Sequence, residues 1–406
     1  MKSQDPFATS GLALVVQIIV QIAIGIFLAT RYVPTLDGAH ASVQTLREQM
    51  AFVQNLHYWG SQVLIAHSLL HVLAMVWAGR YRQPYRLAFL GGLAIFAAAF
   101  LFQLTGNLLP MDRHDVQTAV IETGIGSSVP IVGGMTKELM FGGSQFGQAT
   151  LDNWFFAHRY IATALALAGI VFLLLGNARA KVRASGIAAL APLVCSAVLA
   201  SIVAAPFGAA ARAQDYSEQA TLVSWYTWPL HGALKAAAAL APGMGWLGAA
   251  VLPGLFAGFL VSLPLLSKRI PLAAARAGLV LFLGIFGLAA GIYGGPFARL
   301  TGNQDPPDVR SKAPVGGASP IDAALAAKGK ALFAKLPCSG CHGANLQGGP
   351  GGPSLMKVFE KQAEPAWYKR FIKDPASVKP GSVMPAFGDL SEAELSALAE
   401  YLRQPR

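Results

Sequence analysis

The chain has 406 residues, of which 54% are hydrophobic and only 13% charged, well below the roughly 25% charge of a soluble domain. Its net charge of +11 speaks against a nucleic-acid binder, because Lys and Arg cluster at the ends of apolar runs instead of on one polar face. What remains is a largely membrane-embedded chain with a polar appendix.

Seven apolar runs follow in order: 11–30, 54–78, 86–106, 153–176, 183–206, 243–266 and 275–295. Each has the roughly 20 residues that a hydrocarbon layer of about 30 Å demands. The expected fold is all-α: a bundle of seven transmembrane helices and a small soluble helical domain. Met1–Ser10 is too short and polar for a cleavable signal. Three connections are short and basic, carrying Arg80/Arg82/Arg86, Arg179/Lys181/Arg183 and Lys268/Arg269/Arg276; the others, 31–53, 107–152 and 207–242, are longer. The positive-inside rule places the basic turns and the N-terminus in the cytoplasm and the C-terminus outside. Residues 297–320, rich in Pro, Gly, Asp and Ser, read as a linker to a soluble domain at 321–406.

His57 and His71 lie on the second run, fourteen residues apart. That is close to four helical turns, so both project from one face about 21 Å apart, a spacing that would serve two stacked haems. His158 opens the fourth run at the level of His57. Imidazoles from two facing helices clamp a haem iron in a bundle, and an intramembrane His without such use is costly. Interhelical hydrogen bonding is the alternative. Gly11 and Gly25 on the first run, and Gly92 and Gly106 on the third, repeat the fourteen-residue step. Topology puts Gly25 and Gly106 at the level of His57, and Gly11 and Gly92 at that of His71. Glycine lets a flat macrocycle approach the backbone.

Cys195 stands alone in an apolar run and reads as a small core residue. Cys338, Cys341 and His342 form C-S-G-C-H, a c-type haem attachment signature. Ser391 and Glu394 fit a capping box. Lys357, Lys361, Lys369 and Arg370 either steer an acidic partner or form a solvated face.

The segments G-I-F-L-A (25–29), L-H-Y-W-G-S (56–61), T-G-N-L-L-P-M-D (105–112), S-V-P-I-V-G (128–133), G-G-S-Q-F-G-Q-A-T-L (142–151) and W-Y-T-W-P-L (225–230) resemble, in order, cytochrome b of the quinol-oxidising bc-type complexes. The resemblance covers about 5–296. It implies a four-helix haem bundle over 1–180, holding b haems, and a three-helix region over 181–296, with outer loops walling a quinol pocket. The tail is similar to class I cytochromes c. It implies thioethers at Cys338 and Cys341, His342 as proximal iron ligand and Met384, before Pro385, as distal ligand. Met356 is the other methionine, in a position that suits a core residue.

The family carries a second His on the fourth helix, where this chain has Phe172 and Leu173. His71 therefore lacks an obvious partner: the inner haem is absent, held by His71 alone, or completed by an unusual ligand. The family's Pro-Glu-Trp-Tyr signature is Val223, Ser224, Trp225 and Tyr226 here, and Gln54 stands where the family usually has a propionate-binding Arg. A Ser hydroxyl is no base near neutral pH. Asp112, His114, Asp115 and His231 are substitute proton carriers or solvated loop residues; with Trp225 and Tyr226 they mark the outer quinol pocket.

Two functions follow from the resemblance. One is a subunit of a quinol–cytochrome c reductase without a complete quinone cycle, joined by a Rieske iron–sulfur protein. The other is a wiring and anchoring subunit for a periplasmic cytochrome or oxidoreductase. Either implies a bacterial inner-membrane complex of several subunits, with a dimer among its options and the cytochrome c domain periplasmic.

Overall fold

A computed structural model describes residues 4–212, 215, 223–241, 243–293, 322–349, 352–356, 358, 365–379, 382 and 384–404. The chain separates into two compact units, Met1–Ser311 and Lys312–Arg406. The expected linker 297–320, Lys357 and Lys361 lie outside the described residues.

In the first unit, helix α1 (Pro6–Ala29) starts with proline at its first position, and the Asp5 carboxylate accepts from the amides of Phe7 and Ala8. Such a cap contributes about 1 kcal/mol. Asp5 also pairs with Arg80 at 2.7 Å, and its amide donates to Arg183 O. One residue thus ties the start of α1 to two of the short basic turns. Helices α3 (Ala51–Trp77) and α4 (Arg86–Gly106) follow antiparallel. A continuous span then runs through α7 (Gln148–Phe156), a π-helical turn (Ala157–Ala162) and α8 (Thr163–Ala180).

With no hydrophobic drive between helices in lipid, close backbone approach through small residues holds such a bundle together. Helices α4 and α8 show it. Side chains at Gly91, Gly169 and Gly176 would collide with the facing helix's backbone. Leu14, Ile18, Leu64, Ile95, Ile170 and Leu173 fill the centre.

Among the described residues, six helices are long and apolar enough to cross a membrane; the last two are Leu247–Leu265, which contains α11 (Leu252–Leu265), and α12 (Leu272–Tyr293). The run at 183–206 differs from expectation. Its helical part, Ala188–Ile202, rises only about 22 Å. Pro192 sits at the start of α9 (Ala191–Ile202), and Val203 is already extended. The segment nevertheless reaches from one end of the bundle to the other. The Ser185 amide donates to Thr9 Oγ1, and at the far end Asn55 and Trp59 donate to the carbonyls of Ala200 and Val203. Side chains thereby satisfy backbone groups that lipid could not. Cys195 corrects an expectation too: it is exposed, because α9 turns Ser196 and Ala200 inward instead.

The longer connections are themselves helical. They contain α2 (Ala39–Gln49), α5 (Arg113–Ser127), α6 (Gly133–Phe141) and α10 (Trp228–Leu240).

In the second unit, α13 (Ala323–Lys335) crosses the terminal helix Glu392–Leu402, with Gly329 against the backbone of Ala397. Phe333, Tyr368, Leu395, Leu398 and Tyr401 form its core. Ser391 and Glu394 close a capping box on the terminal helix.

Candidate haem sites

The helices α1, α3 and α4 and the π turn surround a cavity of about 580 Å³ in the first unit, lined by both His57 and His158. The two imidazole centres are 6.4 Å apart. A metal–imidazole bond is about 2 Å, and the ring centre lies roughly 1.1 Å behind the nitrogen, so an iron between two rings needs about 6.3 Å. The Nδ1 side of His158 is occupied by Thr105 Oγ1 at 3.1 Å, which leaves Nε2 for a metal. The π turn that carries His158 is a feature concentrated at functional sites. The residues therefore fit a haem, and a haem held there supplies one-electron ferric–ferrous chemistry.

Glycine makes room for both rings. Gly25 faces His57, and a Cβ at Gly106 would lie 2.7 Å from His158 Cε1. The variant Gly106→Val should therefore displace the His158 ring and weaken b-haem retention by about 10-fold or more, read as the reduced b-type band after gel filtration. The polar part of the cavity lining includes Tyr32, Gln54, Asn107 and Arg159. Arg47 of α2 donates to Gln54 Oε1 at 3.3 Å, so a guanidinium stands beside the position where the family's Arg is missing.

The level of His71 is built differently. His71 is 4% exposed. Its Nδ1 lies 2.9 Å from Ser10 Oγ, which also contacts His67 Nε2 at 2.9 Å. Its ring lies against Gly92, while a Cβ at Gly11 would meet Leu173 Cδ2 at 2.8 Å. Leu173, at one of the two positions where the resemblance expects the second His, covers Gly11 with an apolar side chain.

The loop residues fall into separate groups. Asp112 caps α5, accepting from the Asp115 amide at 2.8 Å and the Gly208 amide at 2.7 Å. His114 is buried beside Asp115, with 3.4 Å between Nδ1 and Oδ1. Asp112, His114 and Asp115 form a buried cluster whose donor atoms all lie within 4.8 Å of one another. Its carboxylate at 112 is engaged by backbone amides, a structural use. Trp225 Nε1 donates to Gln62 Oε1 at 2.7 Å. Tyr226 packs edge-on to Phe100. His231 lies on α10, where burial and then the charge of Lys235 push it down to about 4. It stays neutral in the physiological range.

The sequence reading missed Glu122, which lies beside Tyr226 in electrostatic reach. The available signal was a lone acid in an apolar stretch, with no other between Asp115 and Glu138.

In the second unit, Cys338, Cys341 and His342 occupy one short helix. His342 Nδ1 donates to Pro353 O at 2.8 Å, which fixes the tautomer and frees Nε2. Cys338 and Met384 both pack against the unit's apolar core. Met356, expected inside, is 37% exposed. It sits in a turn that follows Pro353, where its amide donates to Ser354 Oγ.

Fold and site together define a multi-pass membrane protein of the b-type cytochromes with a c-type module. The family model for cytochrome b/b6/petB matches residues 5–178, and that for cytochrome c matches 326–405. Cytochrome b6 of Mastigocladus laminosus is 30% identical over 146 residues, 35% of this chain and 68% of the relative. Cytochrome b6 of Emiliania huxleyi is 31% identical over 151 residues, 36% of this chain and 70% of the relative. A chain of a hyperthermophilic respiratory Complex III shares the fold, with TM-score 0.57 and 18% identity over 74% of this chain and 88% of that one. The chain belongs to the cytochrome b/b6 family and carries a fused cytochrome c domain, an electron-transfer protein of the membrane.

Proposed function

We propose that this chain is the cytochrome b subunit of a quinol-oxidising reductase, with one b haem between His57 and His158 and one c haem held by Cys338, Cys341, His342 and Met384. The facing of the two imidazoles at 6.4 Å across a cavity carries the reading. Electrons from quinol at the outer loops reach the b haem and the c haem through one-electron steps. The short basic turns face the cytoplasm of a bacterium, and the c domain is periplasmic. A Rieske-type iron–sulfur protein or a periplasmic cytochrome completes a complex of several subunits.

A complete quinone cycle needs a second relay near the inner face. The packing of Leu173 on Gly11, with α4 and α8 in backbone contact at Gly91, supports one b haem and no such relay. Pyridine haemochrome analysis should give one b haem per c haem; two would overturn the single-haem reading. Ser224, in place of the family's carboxylate, favours a second reading, a wiring subunit without quinol chemistry. Reduction of the c haem by a quinol analogue, blocked by an outer-pocket inhibitor, separates the two. No reduction favours wiring.

A further inference from the structure

Glu122 of α5 is a carboxylate that no role so far uses. Both its oxygens are shielded from solvent, and neither has a hydrogen-bond partner. Buried polar atoms in folded proteins are almost always paired, so such a group asks for a ligand or a proton. The Tyr226 hydroxyl is buried and unpartnered as well. The two groups sense each other: burial first, and then the negative charge of Glu122, push the phenol well above its usual range. Ser224 lies beside that phenol without completing a hydrogen bond to it.

Part of the surroundings of Tyr226 belongs to the haem cavity. Asp115 and Tyr58 line the cavity and act on the same phenol. Asn107 lines it too, and donates to Ser224 Oγ at 3.4 Å. Lys137 and Glu138 are the charged residues of α6, the helix beside α5. An unsatisfied carboxylate on α5 thus lies within electrostatic reach of an unsatisfied phenol two residues from position 224.

We propose that Glu122 is the proton acceptor for quinol oxidation, supplied by α5 to the Tyr226 side of the site in place of the carboxylate that position 224 lacks. The inference rests on the quinol-oxidising reading above. Oxidation of one quinol releases two protons and two electrons. One phenolic O–H bond breaks as an O–H bond forms on Glu122, and the other proton goes to outer solvent. The electrons leave to one-electron oxidants, a ferric haem and a periplasmic carrier of the haem or iron–sulfur class. Burial raises the Glu122 carboxyl to about 8, so its basic form accumulates as pH rises through that value. A base is most effective when its pKa lies near the operating pH.

The test uses the haem-loaded chain in its membrane complex, with an oxidised soluble cytochrome c as electron acceptor, and its Glu122→Gln variant, near-isosteric and so expected to keep both haem spectra. Turnover with a quinol analogue should fall about 100-fold, and the rise in rate with pH near 8 should vanish. Infrared difference spectra should show a protonated-carboxyl band in the parent chain that titrates near pH 8 and is missing from E122Q. Adding Ser224→Glu to E122Q should restore turnover. An E122Q protein that keeps both the rate and the alkaline rise overturns the assignment. A parent chain that shows the band but never oxidises quinol overturns the quinol reading itself, and this role with it.

Discussion

Replacing His158 with alanine is expected to abolish the b-type absorbance and leave the c-type band at full height. With ring centres 6.4 Å apart, the two imidazoles would hold the proposed b haem together, and no neighbour of His158 offers a replacement ligand. Phe102, Gly106 and Thr105 lie against His158, and the Phe102 ring offers no ligand atom. Of the other two, Gly106 has no side chain, and Thr105 offers a hydroxyl already bonded to Leu101 O at 2.6 Å. His57→Ala should behave alike. His71→Ala is the contrast: its ring meets Gly92 and Ser10, so b-haem content should not change. Pyridine haemochrome quantification of the three variants checks all of this at once. An unchanged b spectrum in His158→Ala, or its loss in His71→Ala, would refute the assignment.

Much of this was legible in the sequence because helical geometry is periodic. Positions fourteen residues apart share a face, so His57, His71 and the glycine pairs could be placed in layers before any coordinates. The structure indeed sets Gly25 against His57 and Gly92 against His71. What Leu173 does was less legible. Its position marked a missing ligand, but only packing shows that its side chain lies on Gly11 while Gly91 and Gly169 bring two backbones together. Three-dimensional closure decides whether a layer is open, and spacing alone cannot.

The outer loops were the least legible part. Asp112 and His114 stood as substitute proton carriers or solvated loop residues, and the structure shows Asp112 as a buried helix cap bonded to the Gly208 amide. Capping by Asp is a local signal, but the Gly208 contact spans nearly a hundred residues and leaves no periodic trace. Glu122 escaped for the same reason. Tyr226, within its electrostatic reach, arrives from another loop, and a buried acid on a short helix looks like any other until its neighbours are known. The shortness of α9 was similarly hidden, since hydropathy does not reveal that the backbone turns extended at Val203.

The second large effect concerns the other haem. Changing Cys338 and Cys341 together to serine should remove covalent haem completely, so that haem staining of a denaturing gel disappears while the b-type spectrum persists. Serine hydroxyls form no thioether with the macrocycle, and His342 with Met384 would have to hold a free haem by coordination alone. His342 keeps its bond to Pro353 O, so part of the pocket survives and weak haem binding in native buffer is compatible with the argument. Denaturation removes that remnant, and for this reason the gel is the decisive readout. Loss of b absorbance in this variant would contradict the separation of the chain into two compact units. Its converse, b-haem loss without c-haem loss, is the His158→Ala outcome. Two variants that each delete one spectrum and spare the other would show that the chain holds two independent redox centres. On the proposed quinol reading, the doubly substituted protein should still take electrons from quinol at the b haem and show a reduced b-type band, with no c-type band to follow.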